Sequence, residues 1–549
     1  VRQLLAAVVF ALLSVLAPLH TAEPEPDDWM PAAVERGERF LTTLFDSEVD
    51  LLPEFHGARV YWLYHDNYLA ARALTWSEPG LARRLEAAIE RHGVRGSGKI
   101  EIVHGEARDP LPFRVPELVT VDKVDGREIR TEKLLARIEE RWESYADLLL
   151  LSAVARAAEE PVAARRDLDR ALAMWDGKGL LDPAVTAHGI YATYKLALLL
   201  VAAQRLGAEL PMRGAVLARL RELQSPHGGW ITDYLPDGSP RGLANVETTC
   251  LVLLALEAAG GLVRVREVAG GFEIRAGGKF FCRYFPNGDG TVRRPFFSAL
   301  HAPGGVEVTR PHPPRAGRDA EDHADMHPGL WMAFGALGGR DFWRNRSGCS
   351  VEHVRFTEAP HGGVRKGGFT ALGRYVADGE TICEETCRVR IRFVPPGILV
   401  MVDSEFEAHR DLVFGDQQEM GFGVRLATPM TSAAGGRLRD SAGRVGEKEI
   451  WGREAAWCDG SGVASGHRVG VALFAHPANE HRSRVHARDY GLIVLNPFGR
   501  RDFGQGDEQR VPLRRGEKLR LRFAALFHSG PRDSSADLET AYRAYAAEE

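Results

Sequence analysis

The sequence predicts a two-part α + β chain, with a helical half followed by an antiparallel β half. Apolar residues recur at three- and four-residue spacing from about 30 to 261, the repeat of helices with one buried face. From about 262 onward the repeat shortens to two, that of strands with one buried side. The 549 residues are 44% hydrophobic and 26% charged, with a formal charge of −5, which suits a globular protein with a large core.

Residues 1–22, VRQLLAAVVFALLSVLAPLHTA, place one Arg before an apolar run from Leu4 to Leu16, with Ala22 ahead of the acidic EPEPDD. This is the pattern of a secretory signal peptide and predicts an exported protein, periplasmic or extracellular. No later segment reaches 18 uninterrupted apolar residues, so no stable membrane span is expected after signal cleavage. No basic tract stands out, so no nucleic-acid partner is expected.

Residues 23–261 form the predicted helical domain. Its periodic segments include ERFLTTLF, RVYWLYHDNYLAARAL, LARRLEAAIERH, KLLARIEERWESYADLLLLSAVARAA, IYATYKLALLLVAAQRL and VETTCLVLLALEAAG. Between about Val94 and Arg130, Gly, Pro, Val and charge interrupt the pattern, and an extended excursion or small hairpin is expected. Residues 262–549 form the predicted β-sandwich domain, with alternating runs such as FEIRAGGKFFCRYF, RVGVALFAH and LRLRFAALFHSG. SSADLETAYRAYAAEE predicts a closing helix, with Ser534 or Ser535 as cap and Leu538, Tyr542 and Tyr545 as its apolar stripe. The six cysteines include no zinc-type CxxC pair and read as buried free thiols.

The stretch Ser225–Leu256 resembles a repeat of α/α-toroid proteins: a Gly-Gly-Trp turn, a polar loop, then a helix that Asn245 could cap. That resemblance implies a helical bowl. Tyr61, His65 and Tyr68 fall on one face of a helix in this reading, with Asp66 beside them. Aromatic faces and carboxylates in a bowl suit a sugar, which makes Asp66 and Trp230 candidate substrate contacts.

DHADMHPGLWMAFGALGGRDFWRNR, from Asp322 to Arg346, gathers His, carboxylate, Trp and Arg in a Gly-punctuated segment. A polar-ligand site uses that mixture: proton transfer or metal ligation from His, charge from Asp, a stacking face from Trp. His323 and His327 are candidates for proton transfer, with Asp322 orienting one ring and Trp331 as a stacking face. No cofactor is firmly indicated; a divalent metal at His323 and His327 is the one alternative, and no third ligand has convincing spacing. Glu419 and Arg425 would share one strand face as a carboxylate base beside an anion clamp. His486 and Arg488 lie two apart and would point together, with Tyr490 as a phenolic acid or stacking surface.

The β half resembles the secreted bacterial family labelled PmoA-like, or "methane oxygenase". The resemblance rests on RRPFFSALHAPGGVEVTRPHPP, DHADMHPGLWMAFGALGGRDFWRN, DQQEMGFGVRLA, WGREAAWCDGSG and VALFAHPANEHRSRVHARDYGLIVLNPFG, in that order over about 280–549. It implies a β-supersandwich similar to galactose mutarotase and to the C-terminal domains of polysaccharide lyases. The expected fold is therefore a multidomain α + β chain, an α/α toroid-like helical domain followed by that supersandwich. The expected function is an exported carbohydrate-active enzyme, a glycan lyase or hydrolase with a carbohydrate or sugar-acid substrate. His323, His327, Glu419, Arg425, His486 and Arg488 would do its acid–base chemistry. The alternatives are a saccharide-binding or scaffold protein without catalysis, and the metal-dependent oxidation that the family label names.

Overall fold

The computed structural model describes residues 28–107, 109–530 and 535–548. The expected signal peptide and Ser534 lie outside these residues. Two hydrophobic cores organise the rest: one is built from residues between Met30 and Leu262, with Val364 added, and the other from residues between Val263 and Phe527.

Helices of two kinds build the first part. Thr193–Arg205 and Val246–Gly260 are apolar on almost every side and sit inside it, together with Ala146–Arg156 and Leu69–Leu74. Met30–Thr43, Pro79–Arg91, Pro161–Leu172 and Arg213–Glu222 each bury one stripe and back the inner helices. The Asn245 carboxamide accepts a hydrogen bond from Thr248 N at 2.9 Å, so the expected cap forms. The expected Gly-Gly turn forms, with Gly228 at φ 99° and its N–H on the Ser225 carbonyl at 2.9 Å, and a Cβ on Gly229 would lie 2.6 Å from the Phe40 ring.

The excursion expected near 94–130 is a hairpin, Arg114–Val124 with Arg127–Ile138, turned by Asp125 and Gly126 at φ 47° and 77°. Two helical expectations fail beside it. Tyr61 lies in the strand Val60–Trp62, which pairs in parallel with Glu128–Arg130, so it shares no helical face with His65 and Tyr68. The KLLARI segment is strand as well, because its backbone groups find partners across the hairpin rather than along a helix.

In the second part sixteen strands form one sheet. One run, from Ser350–Val364 through Lys366–Ala377, Glu380–Val394, Gly397–Ala408 and Lys518–Ser529 to His467–Ala475, Trp457–Ala464 and Arg437–Asp440, is antiparallel throughout. A second antiparallel run carries Leu262–Val268, Gly271–Ala276, Lys279–Phe285, Phe296–Ser298, Leu330–Phe334, Met420–Arg425, Leu492–Asn496 and Arg484–Arg488. Two residue pairs join the runs, Gly363 with Val263 and Val364 with Leu262. The runs then face each other: Phe281 meets Phe527 at 5.4 Å and Phe422 stacks on Phe523 at 5.5 Å, although their strands lie far apart in strand order. The helix Ser535–Ala546 closes one outer face with Leu538, Ala541 and Tyr545 against Phe474, Ala524 and Leu526.

Arg264, on the first strand of the sheet, bonds Glu38 at 2.8 Å and Glu257 at 2.7 Å and so ties the helical part to the sandwich. All six cysteines are free. Among the described residues no helix is long and apolar enough to cross a membrane.

Candidate functional site

Strand alternation builds the site. Met420, Phe422 and Val424 enter the sandwich core, which turns Gly421, Gly423 and Arg425 to the opposite face. Val485 and Ala487 likewise point inward and send His486 and Arg488 outward. Register then lines up Phe296, Trp331, Gly423, Val494 and His486 across five strands. Gly423 leaves room for its neighbour in this row: a Cβ there would lie 3.0 Å from the Trp331 indole. Leu492 stands between Arg425 and Arg488 in the next row.

The segment 310–328 covers this face, and two buried arginines hold it. Arg310 donates to the carbonyls of Ala320 at 2.8 Å and Asp322 at 2.7 Å, and reaches those of His323 and His327 at 3.4 and 3.3 Å. Arg294 donates to the carbonyls of Trp343 and Met326. Burial and the neighbouring Arg425 charge bring Arg310 down to about 10; burial does the same for Arg294.

Within that frame Asp322 bridges two groups. One oxygen accepts from Arg425 at 2.8 Å and the other meets His323 Nδ1 at 3.0 Å. Burial raises the Asp322 carboxyl, but the bonds from His323 and Arg425 outweigh it and hold the group below the ordinary carboxylate value. The Arg425 guanidinium lies 4.3 Å from the Tyr490 ring centre. His323 stacks between Tyr490 at 5.9 Å and His327 at 4.9 Å; His327 in turn stacks on Trp331 at 5.3 Å. A cavity of about 400 Å³ opens beside Arg310, Arg425, Thr428, Thr431 and Tyr490.

The structure therefore brings together Asp322, His323, His327, Arg425 and Tyr490. His486 and Arg488 lie alongside. Burial and the Arg488 charge lower His486 to about 4, and its Nδ1 meets the Gln418 carbonyl at 3.1 Å. Arg488 pairs with Glu447 at 2.9 Å and lies over Trp451. His327 is 2% exposed, and burial with the surrounding positive charge lowers it far below an ordinary histidine, so it is neutral.

Several expected roles do not hold. Glu419 precedes its strand and pairs with Arg344; six strand residues, about 20 Å, separate it from the Arg425 end. The partner of Arg425 is Asp322. Trp331 is 2% exposed beneath His327, and Trp230 is fully buried with its indole N–H on the Leu220 carbonyl, so both are core rather than stacking platforms. Asp66 is 1% exposed, and burial with the nearby Glu247 and Glu54 raises its carboxyl, so it belongs to the interior rather than to a ligand surface. His323 and His327 face each other with ring planes 18° apart, so their in-plane nitrogens do not converge on one point. Among the described residues no group of three or more His, Cys, Asp or Glu is placed to hold a metal ion. Sequence reasoning missed Arg294 and Arg310, which stand in polar-looking segments and whose carbonyl partners have no side-chain signature.

Comparison with solved structures gives likenesses of low identity and low TM-score, which carry no argument about this chain. A putative kojibiose phosphorylase from human microbiome aligns at 7% identity over 40% of this chain and 26% of its own, with TM-score 0.22. A GH36 alpha-galactosidase from Geobacillus stearothermophilus aligns at 9% over 49% of this chain and 40% of its own, with TM-score 0.26. The chain thus spans less than half the length of either. A galactose mutarotase-like protein from Clostridium acetobutylicum aligns at 8% over 49% of this chain and 98% of its own, with TM-score 0.26. No curated protein matches. The family model that matches coincides with the stretch of the PmoA-like resemblance, and its description names no oxygenase or other activity. Residues 271–543 match the model of DUF6807, described as a family of unknown function.

Proposed function

We propose that this protein acts on a sugar acid at the Asp322–His323–Arg425–Tyr490 site, by proton transfer of the lyase type. The observation that carries the reading is an excess of buried donors. Among the described residues Arg425 Nε and Nη1 have no acceptor, and Asp322 is the one carboxylate bonded to the Arg310–Arg425 pair. A ligand carboxylate supplies the acceptor and the negative charge that such a place lacks. Pairing with guanidinium also stabilises the enolate-like charge that develops when the neighbouring carbon loses its proton.

The chemistry then follows from the neighbours. His323, its ring oriented by Asp322, takes the proton next to the bound carboxylate. The released electron pair forms a carbon–carbon double bond, and the glycosidic oxygen on the adjoining carbon leaves with the bond electrons. Burial raises the Tyr490 phenol, so it keeps its proton at neutral pH and can donate it to that oxygen. Export of the chain belongs to the same proposal and rests on the pattern of residues 1–22; cell fractionation tests it.

The test incubates the full chain with polygalacturonate and alginate and follows new unsaturated ends by ultraviolet absorbance. Unsaturated ends are expected from the wild type, with a loss of about 100-fold or more in His323→Ala. Uronate binding without any unsaturated or reducing ends, in both polymers, would leave a saccharide-binding protein and refute the catalytic reading.

A further inference from the structure

We infer that Asp489 sets specificity at the sandwich cavity: it takes the hydroxyl edge of the bound sugar acid, while Arg310 and Arg425 take the carboxylate. The inference rests on the sugar-acid reading above and adds to it which acids the cavity prefers, those that carry hydroxyls beyond the acid group. The cavity of about 400 Å³ is lined by groups of two kinds. Arg310 and Arg425 are the donors; they are 2% and 1% exposed, and Arg425 Nε and Nη1 have no acceptor among the described residues. Asp489, Thr428 and Thr431 line the same cavity as acceptors. Thr428 Oγ1 donates to Asp319 at 2.7 Å and Thr431 Oγ1 to the Thr428 carbonyl at 2.9 Å, so the one proton of each hydroxyl is engaged and only lone pairs remain to offer.

Asp489 stands in the turn between Arg484–Arg488 and Leu492–Asn496, next to Tyr490. Its backbone is fixed on both sides: the N–H donates to Glu447 at 2.9 Å and the carbonyl accepts from Ser432 N at 3.0 Å. The Ser432 hydroxyl donates to Oδ1 at 2.8 Å and orients the carboxylate. Oδ2 has no partner among the described residues, and Arg488, beside it in sequence, pairs with Glu447 instead. An oriented carboxylate oxygen without a donor is ready to accept an O–H. A ligand with an acid group alone satisfies the arginines and leaves Asp489 to water. A sugar acid satisfies both, and its orientation is set as well, because the Asp489 charge repels the ligand carboxylate and the guanidinium groups attract it.

Calorimetric titration of the full chain compares three acids: galacturonate, the tetrahydropyran carboxylate that has the same ring and acid group but no hydroxyl, and γ-aminobutyrate, which carries a cation in place of hydroxyls. Galacturonate is expected to bind about tenfold or more tightly than either. Asp489→Ala should weaken galacturonate about tenfold, the effect of losing one hydrogen bond to a charged acceptor, and leave the tetrahydropyran acid within about twofold. Should Asp489→Ala not fold, Asp489→Asn is read the same way, with a loss of about fivefold. The inference is overturned if the two ring acids bind the wild type alike, if γ-aminobutyrate binds most tightly, or if a folded Asp489 variant binds galacturonate as the wild type does. Equal weakening of both ring acids in the variant also overturns it, since the cavity rather than a hydroxyl contact is then lost. Binding of neither ring acid to the wild type would reject the sugar-acid reading itself, and this inference with it.

Discussion

Arg310→Met tests whether one guanidinium holds the segment 310–328 over the site. Two of its bonds are short, 2.8 Å to Ala320 O and 2.7 Å to Asp322 O. Hydrogen bonds from a charged donor contribute about 1.5–3 kcal/mol each, so their loss costs about 3–6 kcal/mol. Part of this returns, because burial and Arg425 already disfavour the charge. The fall of Arg310 from 12.5 to about 10 corresponds to about 3 kcal/mol that an uncharged Met does not bear. The net expectation is a local destabilisation of about 1.5 kcal/mol, or roughly tenfold faster opening. Amide hydrogen exchange across residues 320–327 reads this directly, with Phe523 and Leu526 as unaffected core references. Unchanged protection of 320–327 in a folded Arg310→Met chain would refute the clamp and the placement of Asp322 and His323 that depends on it.

Glu419→Gln should leave uronate affinity within about twofold, because Glu419 pairs with Arg344 rather than Arg425, whereas Arg425→Lys should weaken it about tenfold; calorimetric titration with galacturonate separates the two. Trp230→Ala should cost about 3–5 kcal/mol in urea unfolding of the helical part without altering uronate affinity, since that indole is wholly buried. His65 stands at about 10 when folded against 6.5 as its ordinary value, so its stabilisation is complete below about 6.5 and is lost as pH rises through about 10. Thermal melts from pH 7 to 11 should fall along a steeper curve in the wild type than in His65→Asn, and parallel curves would contradict the ion pairs of His65 with Glu132 and Glu247.

Local chemistry made much of this architecture legible. Strict alternation in MGFGVR already separates Met420, Phe422 and Val424 from Gly421, Gly423 and Arg425, and the structure uses both faces. The Asp322–His323 pair was legible for a similar reason, because its members are neighbours in sequence. What failed depends on distant partners. KLLARI has a helical composition but becomes strand because Arg114–Val124 supplies its hydrogen bonds. Glu419 has the parity to join Arg425, yet Arg344, 75 residues away in sequence, pairs with it. Arg310 and Arg294 were invisible as clamps because their partners are main-chain carbonyls, which every residue carries.

The strand Leu262–Val268 lies ahead of residue 271, where the family match begins, yet it is the seam between the two antiparallel runs. A fragment cut at 271 would unzip that seam, baring hydrogen-bonding edges on Gly271–Ala276 and on the Gly363–Val364 end of its neighbour. The stretch that matches the family model and the folded sheet therefore differ by one strand, and an excised sandwich has to carry that strand with it to keep those edges paired.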